Sequence, residues 1–302
     1  MTFTRRQIDE RKAIGERPKR RPYASKVAFE LNRGGFEFPE SCSILVHNGS
    51  VIELNVATGK GVGEPRQVNV AIQGFASASV AEENGLKLSQ AILWAAITRR
   101  VPLRLNYHTP YPSIVYDRTL QRGGGFSMTA DGYVYSKFDH FVESLKELFD
   151  RDDPLDPKLL VSMELFTSAR LEATERTRFL GMVSSLEPIA EQRAHAPAVA
   201  EMVDDFLQHL NDRTIDDSVR NSLRGSIQRL KQESVGFAIK RMIRELLPDE
   251  TTAVALVTHA YNIRSSLLHD GQADADLDVI TRDLEQLIRR LIAVRLGREL
   301  DG

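Results

Sequence analysis

Apolar residues recur along this chain with two periods, and the change between them falls near its middle. In residues 22–135 the period is mostly short. ASKVAFEL places Val27, Phe29 and Leu31 on one side, the alternation of a half-buried strand. CSILVHNGSVIELNV is two short apolar runs around Asn48-Gly49, a strong hairpin signal. RQVNVAIQGFA predicts another strand, with Val68, Val70 and Ile72 alternating. The period then lengthens in SVAEENGLKLSQAILWAAITRR, where Leu86, Leu88, Ile92, Leu93 and Ala96 fit one helix face. VPLRLNY returns to a strand. PYPSIVYDRT and QRGGGFSMTADGYVYSK read as loops around short strands, punctuated by Gly and Pro.

From about Asp139 onward the period stays near 3.6. FDHFVESLKELFD predicts a helix, stopped by the acidic, proline-bearing linker RDDPLDP. Helical stretches follow at about 158–192, 196–211, 216–247 with an internal break, 249–269 and 276–299. Pro188 and Pro197 mark bends or starts. This pattern predicts an α+β chain. Residues 1–21 form a basic, poorly ordered arm, and 22–153 a mixed α/β domain of a small sheet plus helices. Residues 154–302 form an all-helical bundle, with the boundary near Pro154. The sequence holds no internal repeat or low-complexity segment.

Charge changes the picture only locally. The net charge is −2, so no global field recruits nucleic acid. Residues 1–150 carry 20 Lys and Arg against 16 Asp and Glu, and residues 151–302 carry 20 against 26. Much of the basic excess sits in Arg5, Arg6, Arg11, Lys12, Arg17, Lys19, Arg20 and Arg21. Such an arm either touches phosphates or is a solvated terminus. The one cysteine, Cys42, permits no internal disulfide and fits a reducing compartment. The N-terminus lacks the apolar core of a signal peptide, and no run approaches the roughly 18 apolar residues of a membrane span. A cytoplasmic protein with no membrane partner is expected.

The candidates for chemistry are few. TGKGVGEP, Thr58 to Pro65, sets a lysine among glycines but lacks the P-loop spacing and precedes a strand. It reads as a strand-to-strand loop. RGGGF, Arg122 to Phe126, is either a backbone anion nest or a flexible loop. The histidines (His47, His108, His140, His195, His209, His259 and His269) form no pattern of metal-ligand spacing. No metal or cofactor is expected, and no GxSxG elbow occurs.

The stretch YNIRSSLLHDG, Tyr261 to Gly271, sets Arg264 five positions before His269 at the end of a helix. Val254, Val257, Tyr261 and Leu268 are its expected core-facing stripe. Five residues correspond to about 140° of helix rotation, so the two side chains do not share a face. Gly271 is a natural C-terminal cap, and the last turn is then free to unwind and re-aim His269. Alternatively, two copies meet across a twofold axis and bring both pairs into one cleft. The plain structural alternative is a surface arginine and a helix-end histidine favoured by the helix dipole.

Arg264-Ser-Ser-Leu-Leu-His269 fits the R-x4–6-H motif of HEPN domains, and YNIRSSLLHDG resembles the YxxRSxLxHG signature of their Apea-like branch. Two upstream segments agree in order. ERTRFLGMVSSLEPIAEQ (Glu175 to Gln192) resembles the ARFLxLxxAxExL helix. SLRGSIQRLKQESVGFAIKRMIRELL (Ser222 to Leu247) resembles the LxxxLxxLKxESI helix. The likeness covers roughly 155–298; the N-terminal half resembles no family we can name.

The resemblance implies a helical bundle that pairs as a homodimer through the 249–269 helix. It also implies a metal-independent endoribonuclease acting on single-stranded or tRNA-like RNA, as a toxin or an effector of antiphage defence with a defence-system protein partner. Carried onto this chain, Arg264 stabilises phosphorane charge and His269 acts as general acid or base. Tyr261, Ser265 and Asp270 support them. The residue types suit the chemistry. An imidazole, with an unperturbed pKa of about 6.5, can take or return a proton near neutral pH. A guanidinium stays charged and can bridge two phosphate oxygens. RNA supplies its own 2′-hydroxyl nucleophile, and the expected product carries a 2′,3′-cyclic phosphate. Catalytic HEPN motifs commonly have Asn, His or Asp after the arginine; here it is Ser265, a weaker polar partner. Asp270 either holds the imidazole or is a solvated helix-end acid. Two other readings stay open: a non-catalytic HEPN module that binds nucleotide, RNA or protein, supported by the acidic half, and a dimerisation bundle whose Arg-His pair is an interface contact.

Overall fold

The computed structural model describes residues 21–31, 38–46, 50–57, 66–106, 112–118, 136–151 and 153–300. The basic arm up to Arg20, Asn48-Gly49, TGKGVGEP, RGGGF, His47 and His108 lie outside the described residues. The chain is mixed α and β: an N-terminal antiparallel sheet and, among the described residues, nine helices that dominate the C-terminal half. The described residues fall into two compact units, one of the residues up to Arg178 together with Leu300 and one running from Phe179 to Glu299.

The first unit is built on strands β1 (Tyr23–Leu31), β2 (Ser41–Leu45), β3 (Val51–Ala57), β4 (Arg66–Phe75), β5 (Leu103–Leu105) and β6 (Ile114–Asp117). Their order is β2-β3-β4-β1-β5, and β6 also pairs with β1. Strand β1 gives one edge to β4. Its other edge is shared, with Tyr23–Lys26 pairing β6 and Phe29–Leu31 pairing β5. The two-residue alternation explains the buried face: Val27, Phe29, Ile52, Leu54, Val68, Val70 and Ile72 are all buried. Register brings Val27 opposite Val70, Phe29 opposite Val68 and Ile52 opposite Ile72.

Helix α1 (Ala78–Thr98) begins at Ser77, whose side chain accepts from the Val80 amide. It packs on β1, β4 and β6 on one side and on helices α2 (Ser136–Phe149) and α3 (Pro157–Ala169) on the other. That is why its C-terminal half, Ala91 to Ile97, is buried all round instead of showing one apolar stripe. Leu86, expected on the core face, is only partly buried. Gly85 takes the closest approach: a Cβ there would lie 2.0 Å from Ser25 Oγ.

The remaining helices are α4 (Glu175–Ser185), α5 (Pro197–Asn211), α6 (Asp217–Arg229), α7 (Val235–Leu246), α8 (Ala253–His269) and α9 (Leu277–Arg295). The stretch expected as one run over 158–192 is two helices. Asp156 caps α3 with Pro157 in its first turn, and the Thr174 hydroxyl accepts from the Thr177 amide at the start of α4. The 216–247 stretch breaks after Arg229, and Ser234 caps α7 by accepting from Phe237 N. Small polar residues win over periodicity at both breaks because they satisfy backbone donors that a continuing helix would not expose. Helices α7, α8 and α9 pack on one another. They bury Ile239, Ile243, Val257, Ala260, Ile263, Leu284, Ile288, Leu291 and Ile292 at helical spacing. None of the described helices is long and apolar enough to cross a membrane.

Candidate functional site

Helix α8 carries the Arg264/His269 pair, and its burial differs from the expected stripe. The buried residues are Ala253, Val257, Ala260, Ile263 and Leu267. Val254 and Tyr261 are half-buried, and Leu268 is 55% exposed. The apolar face is therefore rotated away from Tyr261 and Leu268. Small alanines at 253 and 260 let α8 lie close to its neighbours, so the core follows their line, not that of the largest side chains.

The rotation places Arg264 at the edge of the buried face. Its Nη2 lies 3.0 Å from Glu187 Oε1, with side chains 29% and 35% exposed respectively. The Tyr261 hydroxyl donates to the same oxygen at 3.2 Å. The guanidinium carbon lies 5.7 Å from the centre of the Tyr261 ring, within cation–π range. One carboxylate oxygen thus gathers a cation and a phenol from successive turns of α8. Burial pushes the Tyr261 hydroxyl well above the ordinary phenol range, and the negative charge of Glu187 and its hydrogen bond push the same way, against Arg264. Tyr261 is a fixed neutral donor at physiological pH.

His269, Ser265 and Asp270 are all exposed. The last turn does not unwind as expected: α8 stays helical through His269, the Asp270 amide donates to Ser266 O at 2.8 Å, and Gly271 takes φ +75° just beyond. Arg264 and His269 of one copy therefore project about 140° apart. No hydrogen bond joins Asp270 to His269 among the described residues.

Glu187 is the member of this group that reading the chain alone misses. It sits just past the end of α4, before Pro188, in a segment noted only for its likeness to a family helix. A second polar group ties the same segment to the next. Glu233 is buried and is gripped by Arg241, with Nη2 at 2.5 Å and Nε at 3.2 Å; its Oε1 also accepts from the Arg193 amide at 2.9 Å. Hydrogen bonding from Arg241 holds the Glu233 carboxyl below its usual range despite burial. Gln192 Nε2 donates to Glu233 O, and Arg241 Nη2 donates to Glu191 O at 2.6 Å. Arg193 and Arg241 also share Glu245. Both groups combine carboxylates with arginines, a set suited to positioning and not to metal binding; no cluster of metal-ligating side chains occurs among the described residues.

Comparison with protein-family models, with curated proteins and with solved structures finds no match.

Proposed function

We propose that this chain is a metal-independent endoribonuclease of the HEPN type, serving as an effector in antiphage defence or a toxin-like system. One observation carries the proposal: the three segments that resemble the Apea-like branch are joined by specific polar side chains. Glu187 of the first holds Arg264 and Tyr261 of the third, while Gln192 and Glu191, at the end of the first, meet Glu233 and Arg241 of the second. These contacts tie the three segments together within one compact unit, as a single helical bundle of that type requires.

In the proposed reaction a 2′-hydroxyl attacks its adjacent phosphorus. The 2′-oxygen–phosphorus bond forms, the bond to the 5′-oxygen breaks, and a 2′,3′-cyclic phosphate remains. His269 takes the 2′ proton, and solvent water supplies the proton that the leaving 5′-oxygen needs. Arg264 meets the charge building on the phosphorane. Because Arg264 and His269 diverge on one helix, the working pair comes from two copies meeting through α8. The Arg264–Glu187 ion pair is partly open to solvent, so a phosphate can compete for the guanidinium.

The same ion pair also favours a second reading. A guanidinium already neutralised within its own chain suits a non-catalytic module that binds nucleotide, RNA or a protein partner. The test is incubation of the purified chain with single-stranded RNA or tRNA in EDTA. Cleavage leaving phosphatase-resistant 3′ ends, lost in Arg264→Ala and in His269→Ala, supports the enzyme. An identical background from wild type and both variants removes it.

A further inference from the structure

Helices α5 and α6 form an antiparallel hairpin, shown by two cross-links: Lys231 Nζ to Asp204 at 2.6 Å and Arg224 Nη2 to Asn211 Oδ1 at 2.6 Å. The hairpin closes at its base by a bridge between Ala194 and Gln232, with the His195 amide donating to Lys231 O at 2.9 Å. It buries little. Helix α5 buries Val203 and Leu210, and α6 buries no residue. Yet five large apolar side chains on it are 43–54% exposed: Met202, Phe206, Val219, Leu223 and Leu230.

These five are not scattered. At 100° per residue, Met202 and Phe206 lie about 80° to one side of the buried line through Val203 and Leu210. Val219, Leu223 and Leu230 lie about 80° to the same side of the half-buried line through Arg220 and Ile227. In an antiparallel pair, offsets of the same sense put both sets on the same face. The hairpin therefore gathers its exposed large apolar side chains on one face, the kind of clustering that marks interaction sites.

Charge selects the occupant. Helix α5 carries Glu201, Asp204 and Asp205 and no Lys or Arg, whereas α6 carries Arg220, Arg224 and Arg229 against Asp217. Asp205 and Arg229 are exposed on the outer edges of the two helices, and neither has an ion-pair partner among the described residues. A twofold axis parallel to the helices would seat α5 of one copy on α6 of the other, so that Asp205 meets Arg229 twice. A twofold across the helices would set acidic α5 on acidic α5. We infer that this face is a self-association surface, in which two hairpins pack face to face with α5 of one copy on α6 of the other, and Phe206 and Leu223 at the centre.

This surface is separate from α8 and does not rest on the ribonuclease proposal. The test is light scattering of the full-length chain over a concentration series. Phe206→Glu with Leu223→Glu should halve the wild-type mass with the circular dichroism spectrum unchanged, since both side chains are half-exposed. Asp205→Arg alone should weaken association at least tenfold, and adding Arg229→Asp should restore it. A folded Phe206/Leu223 variant with wild-type mass would overturn the inference. So would an Asp205→Arg variant that associates as the wild type does, or a charge-swapped double variant that associates no better than Asp205→Arg alone.

Discussion

Replacing Glu187 with Gln keeps the shape at the centre of the α8 site and removes its charge. The ion pair to Arg264 is made by side chains 29% and 35% exposed, so it contributes about 1 kcal/mol, the upper end for exposed pairs. The Tyr261 hydroxyl then donates to a neutral amide oxygen in place of a carboxylate, a loss of about another 1 kcal/mol. The sum, about 2 kcal/mol, should lower the urea midpoint of the helical unit by about 1 M at a typical slope. The assay is urea unfolding followed at 222 nm, in 50 mM and 500 mM salt. The loss should shrink at high salt, because the ionic part is screened and the packing of the Tyr261 ring is not. A change below about 0.5 kcal/mol, the range of ordinary surface substitutions, refutes the reasoning and makes Glu187 a bystander.

Tyr261 should keep its proton above the ordinary phenol range of about 10, because burial and Glu187 favour the neutral form. Its stabilising contribution is full below that value and is lost as pH rises through the folded one, so Tyr261→Phe should flatten the alkaline limb of the stability profile. Glu233 behaves in the opposite sense: with its pKa depressed by Arg241, its contribution is present above the usual carboxylate value of about 4.3 and is lost as pH falls. Glu233→Gln should be less stable than wild type at pH 7, with the gap closing toward pH 3 in acid-unfolding curves. Gly85→Ala should destabilise the sheet unit by about 1–3 kcal/mol, because its Cβ would meet Ser25 and Ser113 side chains, and a thermal melt checks it.

The strands were legible because their faces differ so sharply. The alternation at Val27, Phe29 and Leu31, and again at Val68, Val70 and Ile72, became the buried face of the sheet. Helix ends were less legible where the signal lay in a cap instead of a period: Thr174 and Ser234 divide stretches whose apolar spacing reads through them. On α8 the large side chains Val254, Tyr261 and Leu268 suggest one stripe, but burial keeps only Val257 of it and falls instead on a line that includes the small Ala253 and Ala260. Arg264 and His269 were visible as a pair with a phase mismatch, and the helix keeps that mismatch by staying wound to His269. Glu187 was not visible, since its partners are 74 and 77 positions away in sequence and no local pattern links them.

The central claim, that Arg264 of one copy works with His269 of another, is tested most directly by mixing two inactive variants. Arg264→Ala and His269→Ala are each purified, unfolded and refolded together, and RNA cleavage is measured in EDTA. In a mixed dimer one cleft regains an intact arginine and an intact histidine, so the mixture should recover about a quarter of wild-type activity while each variant alone stays at background. A mixture as inactive as its parts, under conditions where wild type cleaves, contradicts the shared site.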